Sequence, residues 1–227
     1  MSDIIIYKNL NQQFEFDSKK KYVFSAIYMK KLAKKFSKEE DDLFLNLPRA
    51  MRTNLMIEWY PEFKNRLFYS RFINQNNLIK LKIFNYKANQ EIKHTCLNDL
   101  EISSPTLQEI EITGFNFCYS IDNNDLLHGH GYPLLNNNPK LRKVVFDGFN
   151  NVFEIIIEGF REVYPVLVNN PSLKIVKFIG FPKLKHIRGQ NLELEQKRLV
   201  RANFIKNCPS ISSLSVTNKV FLDYYTN

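Results

Sequence analysis

The chain has 227 residues with 44% hydrophobic and 14% aromatic content, enough apolar surface to close one substantial core and too much for a disordered chain. Seven glycines leave little room for glycine-rich phosphate loops, and no apolar run reaches the length of a membrane span. The formal net charge of +9 bears on partners rather than on fold.

Taken in chain order, Ile4–Tyr7 and Phe14–Phe16 read as two short strands that pair as a hairpin or an edge. From Lys20 to Phe36 the pattern predicts a basic amphipathic helix, with Tyr22, Ala26, Met29, Ala33 and Phe36 three and four apart and lysines on the other sides. Its stripe is expected to pack on neighbouring helices. A membrane surface or a calmodulin-type partner suits it less, because Glu39-Glu40-Asp41-Asp42 follows at once and would repel anionic lipid. Leu47 to Tyr60 predicts a second helix: Pro48 stands near its start, where a missing N–H costs nothing, and Met51, Leu55 and Trp59 form a stripe spaced by four. Leu47-Pro48 followed by apolar residues at these intervals resembles the start of an F-box. That resemblance implies that Leu47, Pro48, Met51, Leu55 and Trp59 dock a ubiquitin-ligase scaffold. Residues 1–75 are thus expected as an N-terminal helical region, and 76–227 as a second unit.

Strands are predicted at Asn77–Ile83, Leu97–Ile102 and Leu107–Ile112, the last closed by Thr113-Gly114-Phe115. A long phrase then appears twice. Tyr132-Pro133-Leu134-Leu135-Asn136-Asn137-Asn138-Pro139-Lys140-Leu141, running on to Gly148-Phe149, returns 32 positions later as Tyr164-Pro165-Val166-Leu167-Val168-Asn169-Asn170-Pro171-Ser172-Leu173, running on to Gly180-Phe181. Phe204 to Val216 is a weaker third copy. Each copy reads as helix end, turn and strand. The paired apolar residues (Leu134/Leu135, Val166/Leu167, Phe204/Ile205) suit a last helical turn, and asparagine before proline stops it. The apolar-x-x-apolar-x-apolar runs Leu141/Val144/Phe146, Leu173/Val176/Phe178 and Ile211/Leu214/Val216 end in strand alternation. A strand plus a helix cannot close a core alone, so copies must stack.

These runs resemble the leucine-rich repeat family, whose motif is L-x-x-L-x-L, and Asn207-Cys208-Pro209-Ser210-Ile211 is similar to its cysteine-containing subclass, found in F-box adaptors. The resemblance covers roughly residues 76–218 and implies an α/β chain: an irregular leucine-rich-repeat-like solenoid with a parallel repeat sheet, preceded by the helical N-terminal region. Spacings of 34, 32 and 38 residues between Leu107, Leu141, Leu173 and Ile211 exceed the usual period of about 20–29, so supplementary strands at Val152–Ile157 and Leu184–Ile187, and helices at Gly159–Asn169 and Leu192–Asn207, are expected to fill the difference. Lys219–Asn227 reads as a cap or docking tail.

Three cysteines, Cys96, Cys118 and Cys208, are odd in number and lack C-x-x-C spacing; they read as free thiols, and Met1-Ser2-Asp3 opens no signal peptide, so a cytoplasmic or nuclear setting is expected. His128-Gly129-His130 with Cys118 lacks a further ligand of fixed spacing and reads as a polar loop, so no metal and no cofactor is expected. No nucleophile arrangement, Walker or Rossmann fingerprint points to a catalytic residue.

The residues flanking the middle apolar position of each strand point away from the core and form one face: Lys80 and Lys82, Asp99 and Glu101, Glu109 and Glu111, Lys143 and Val145, Ile175 and Lys177, Ser213 and Ser215. Its changing charge suits a protein partner better than nucleic acid, which would want a uniformly positive groove with stacking platforms. A non-enzymatic protein-interaction module within a hetero-complex follows, with an F-box-type substrate adaptor as its sharper form. The alternative is a structural subunit of a large ribonucleoprotein or mitochondrial assembly, using the basic segment Lys174–Lys206, where nine Lys/Arg face Glu193 and Glu195. An enzyme with an unrecognised site is the third reading.

Overall fold

Alternation of buried and open side chains builds the largest feature of this mixed α/β chain, an eight-stranded parallel sheet. The computed structural model describes residues 4–14, 17, 19–36, 45–59, 66–84, 97, 100–113, 120–121, 127–128, 133–147, 166–179 and 204–217. In chain order the elements are β1 (Ile4–Tyr7), β2 (Lys21–Phe24), α1 (Ala26–Phe36), α2 (Arg49–Asn54), β3 (Leu55–Glu58), α3 (Arg66–Gln75), β4 (Lys80–Phe84) and β5 (Glu101–Ile102). There follow β6 (Glu109–Thr113), β7 (Ser120–Ile121), β8 (Leu127–His128), β9 (Leu134–Asn136) and β10 (Lys143–Asp147). The last four are β11 (Leu167–Val168), β12 (Ile175–Ile179), β13 (Ile205–Lys206) and β14 (Ser213–Thr217).

The large sheet runs β1-β2-β3-β4-β6-β10-β12-β14, every pair parallel and the spatial order following the chain. A second parallel ladder, β5, β9, β11 and β13, also lies in chain order, and β7 and β8 form an antiparallel pair. Register places the inward side chains of the large sheet in two rows. Tyr22, Leu55, Leu81, Ile110, Val144, Val176 and Leu214 face one another across successive strands, and Phe24, Ile57, Ile83, Ile112, Phe146 and Phe178 form the second row. All but Leu214 are buried, and Leu214 packs against the same cluster. Ile102, Leu135, Leu167 and Ile205 face one another along the second ladder, and with Leu107, Leu141 and Leu173 they belong to one apolar cluster that extends from Tyr7 to Cys208.

The N-terminal part departs from expectation. Ile4–Tyr7 pairs not with the Phe14 segment but with Lys21–Phe24, which had been expected as the first turn of the basic helix. Helix α1 starts at Ala26 because Ser25 caps it: its Oγ accepts from the Tyr28 N–H at 3.2 Å and donates to the Tyr7 carbonyl at 2.8 Å, while Glu58 accepts from the Ala26 N–H at 2.9 Å. Tyr28, Met29, Leu32 and Ala33 then face the core. Helix α2 lasts only to Asn54, and Leu55–Glu58 is a strand rather than its continuation. Helix α3 ends where the Asn76 Nδ2 donates back to the Phe72 carbonyl at 2.8 Å and Asn77 turns left-handed at φ 50°. Because β3 pairs with β4, the sheet runs across the boundary expected between residues 75 and 76.

The paired apolar residues of the repeated phrase differ in part from expectation: Leu134 and Leu135 both lie in strand β9, Val166 precedes β11 and Leu167 opens it, while Phe204 is helical, as expected of a helix end, and Ile205 opens β13. The asparagines after them turn the chain. Asn137, Asn169 and Asn207 adopt left-handed φ of 54°, 53° and 53°, a conformation that asparagine tolerates better than other side chains with a Cβ. The next residue in each copy is buried: Asn138, Asn170 and Cys208. Asn138 accepts from the Ser104 N–H at 2.8 Å and donates to the Ile102 carbonyl at 2.9 Å. Asn170 accepts from the Asn138 N–H at 3.0 Å and donates to the Leu135 carbonyl at 2.9 Å. This buried amide ladder satisfies backbone groups between the two sheets that water cannot reach. The supplementary strands expected at Val152–Ile157 and Leu184–Ile187, and the tail Lys219–Asn227, lie outside the described residues; of the two expected later helices, the described part of the first contains strand β11, and that of the second a helical Phe204 followed by strand β13.

Candidate interaction face

The side of the large sheet opposite the core carries polar and aliphatic side chains in register. In one row, Lys80, Glu109, Lys143, Ile175 and Ser213 lie directly across from one another; in the next, Met56, Lys82, Glu111, Val145, Lys177 and Ser215 do so. Parallel sheets usually bury both faces, and their strands then read as continuous apolar runs. Here alternation through β6, β10 and β12 marks one face as core and leaves the other open: Ile175 is 37% exposed, and the Lys80 side chain 49%.

Ten of the twelve residues expected on this face are brought together: Lys80, Lys82, Glu109, Glu111, Lys143, Val145, Ile175, Lys177, Ser213 and Ser215. Glu101 is elsewhere. It lies on β5 in the four-stranded ladder, where its carboxylate accepts from Asn136 at 3.3 Å, because the strand expected at Leu97–Ile102 reaches only its last two residues. Asp99 lies outside the described residues. Sequence reasoning missed Lys21 and Met56, which extend the face over β2 and β3. The short alternations Lys21-Tyr22-Val23-Phe24 and Leu55-Met56-Ile57-Glu58 held the signal.

Charge on the face is organised. The Lys80 Nζ lies 2.7 Å from Glu109 Oε1, and the Lys82 Nζ 2.6 Å from Glu111 Oε1, so β4 and β6 neutralise each other across the strand gap. Lys21, Lys143 and Lys177 make no ion pair among the described residues. A shallow hollow of about 270 Å³ lies over this region, lined by Lys21, Met56, Lys80, Lys82, Glu109, Glu111, Lys143 and Val145 among others.

The five residues expected to dock a scaffold are not on the surface. Leu47, Pro48, Met51, Leu55 and Trp59 are all buried, and Trp59 stacks on Tyr69 with ring centroids 4.3 Å apart. Their apolar spacing reflects the core, which receives α2 and β3 from this side.

A wider hollow of about 770 Å³ adjoins β13, lined by Asn169, Pro171, Ile205, Asn207, Cys208 and Pro209. Burial pushes the Cys208 thiol above its ordinary pKa against the opposing pull of Asn170, which makes it a poor nucleophile at neutral pH. No group of three or more His, Cys, Asp or Glu able to hold a metal occurs among the described residues. His128 lies on β8 opposite Ser120, while Gly129, His130 and Cys118 lie outside the described residues. Among the described residues no helix is long and apolar enough to cross a membrane.

Comparison of the chain with family models, with curated proteins and with solved structures returns no match.

Proposed function

We propose that this chain is an irregular, leucine-rich-repeat-like solenoid that works as a non-enzymatic protein-interaction module within a hetero-complex, its partner seated on the open face of the large sheet. The observation that carries this reading is the register of Lys80, Lys82, Glu109, Glu111, Lys143, Val145, Ile175 and Lys177, a fixed mosaic of both charges and aliphatic groups on rigid strands. Such a mosaic discriminates among partners by charge and shape. The F-box-type adaptor form draws no support from Leu47, Pro48, Met51, Leu55 and Trp59, whose burial leaves them no contact to offer a scaffold. A reducing cytoplasmic or nuclear setting goes with the reading and with the unpaired Cys208 thiol.

The test is native purification with mass spectrometry of the wild-type chain and of Val145→Arg, which puts a bulky cation at the middle of the face. Loss of a co-purifying protein from the variant is the expected result. An identical set of companions in both would overturn the reading. The second reading is a structural subunit of a ribonucleoprotein or mitochondrial assembly; the exposure of Lys174, Lys177 and Lys206 favours it within the basic segment. Nuclease treatment before purification separates the two, because a nucleic-acid-dependent companion is then lost from wild type as well.

A further inference from the structure

Strands β10 and β12 form a two-by-two checkerboard on the open face. Lys143 lies directly across from Ile175, and Val145 directly across from Lys177, so the two cations occupy one diagonal and the two aliphatic groups the other. Neighbouring strands lie about 4.8 Å apart and alternate residues about 6.6 Å apart along a strand, which puts the Lys143 and Lys177 positions about 8 Å from each other. Lysine stems flex over several ångströms, and carboxylates two residues apart on an extended peptide are separated by about 7 Å. The carboxylates that might have satisfied these lysines are taken: Glu109 is held by Lys80 at 2.7 Å and Glu111 by Lys82 at 2.6 Å.

From this geometry we infer that the partner presents an extended acidic segment with carboxylates at alternate positions, laid over β10 and β12. One carboxylate pairs with Lys143 and the next with Lys177, while the intervening stem covers Val145 and Ile175. The Lys–Glu pairs of β4 and β6 form a neutral border on one side, and Ser213 and Ser215 an uncharged border on the other. A single-stranded nucleic acid fits less well: two carboxylates stand beside the lysines, and the described residues of the two central rows offer no aromatic ring for a base to stack on. The inference rests on the interaction reading above and names the chemistry of its partner.

The experiment uses the full chain and a fluorescein-labelled 12-residue peptide of alternating Glu and Thr, followed by fluorescence anisotropy, with the Gln-Thr peptide and a dT oligonucleotide as companion probes. Lys143→Glu/Lys177→Glu is expected to weaken binding of the acidic peptide by about tenfold or more. Lys31→Glu/Lys35→Glu, an equal change of net charge on exposed residues of α1, is expected to cost less than about twofold. Lys143→Gln/Lys177→Gln serves where the charge reversal fails to fold, with an expected loss of about fivefold. Absence of acidic-peptide binding, equal loss in the control pair, or tighter binding of the oligonucleotide with the same dependence on Lys143 and Lys177 would overturn the proposal. If Val145→Arg releases a co-purifying protein and neither lysine double variant does, the acidic partner is wrong and the interaction face stands. If none of the variants releases it, both fall.

Discussion

Replacing Asn170 with alanine would strip the buried Leu135 carbonyl of its Nδ2 donor and the Asn138 amide of its Oδ1 acceptor in one step. The Asn138 amide is left unpaired, while the Leu135 carbonyl keeps its ladder bond to β11, so the cost is about 1–3 kcal/mol, read as a lower urea midpoint at unchanged slope. An aspartate at the same place keeps the acceptor without the donor, and a serine offers both on one shorter side chain that cannot reach the two partners together, so an intermediate loss is expected for Asn170→Ser. Tyr28 gives a pH signature at the same scale. Burial, and then the repulsion a charged Tyr7 would add, push the Tyr28 hydroxyl from 10.0 up to about 12. A group raised in the folded state contributes its stability in full below the unfolded value and loses it as pH rises through the folded one. Stability should therefore fall between pH 10 and about 12 by roughly 2 kcal/mol more in wild type than in Tyr28→Phe, measured by urea titration at each pH. The Asn-Asn-Pro phrase was visible in the sequence, but only its chain-stopping side could be read there. Asn138 and Asn170 take partners more than thirty residues away, and no local pattern carries such a bond.

Elements show why one half of the chain was legible and the other was not. From Lys80 onward the expected strands fall where β4, β6, β10, β12 and β14 are, because apolar-x-apolar recurs in each of them. The segment Met51 to Trp59 satisfies two periods at once: Met51, Leu55 and Trp59 are four apart, while Leu55, Ile57 and Trp59 alternate. Helix governs the first part and strand the second. Leu55–Glu58 lies between β2 and β4, and the ladder bonds available on both sides outweigh a propensity worth a few tenths of a kcal/mol per residue. Ile57, fully buried between Phe24 and Ile83, is the residue that tells the two apart. Ile57→Ala should cost about 3 kcal/mol, whereas Met56→Ala, on the open face, should cost less than about 1 kcal/mol; equal losses would mean the strand register is wrong. Ser25 argues the same way at the start of α1. Removing its Oγ leaves the Tyr28 N–H without its cap, a loss of about 1 kcal/mol that a helix begun at Lys20 would not suffer.

Across the whole molecule, the sheet grows by one neighbour at a time, and contacts between elements are dominated by adjacent strands. The candidate face was legible from Lys80 to Lys177 because the same alternation that exposes it also builds the core beneath it. Its extension over Lys21 was hidden by lysine-rich surroundings that suit a helix equally well, and over Met56 by the stripe of Met51, Leu55 and Trp59 at helical spacing. Trp59, the single tryptophan, stacks on Tyr69 far along the sheet from β14 and reports on that end alone. A chain ended at Ile179 removes β13 and β14, and Trp59 emission is expected to stay blue-shifted while the urea midpoint falls. A red shift to the solvent value would mean that the sheet stands or falls as one block.

That strand order has a temporal side. A nascent polypeptide leaves the ribosome from its amino end at about 5–20 residues per second, far slower than a hairpin-sized element takes to form. Here each newly emerged β-segment meets a template that was synthesised before it, β2 on β1, β3 on β2, and so on to β14. After β1, no segment of the large sheet has to wait for its first partner to leave the tunnel.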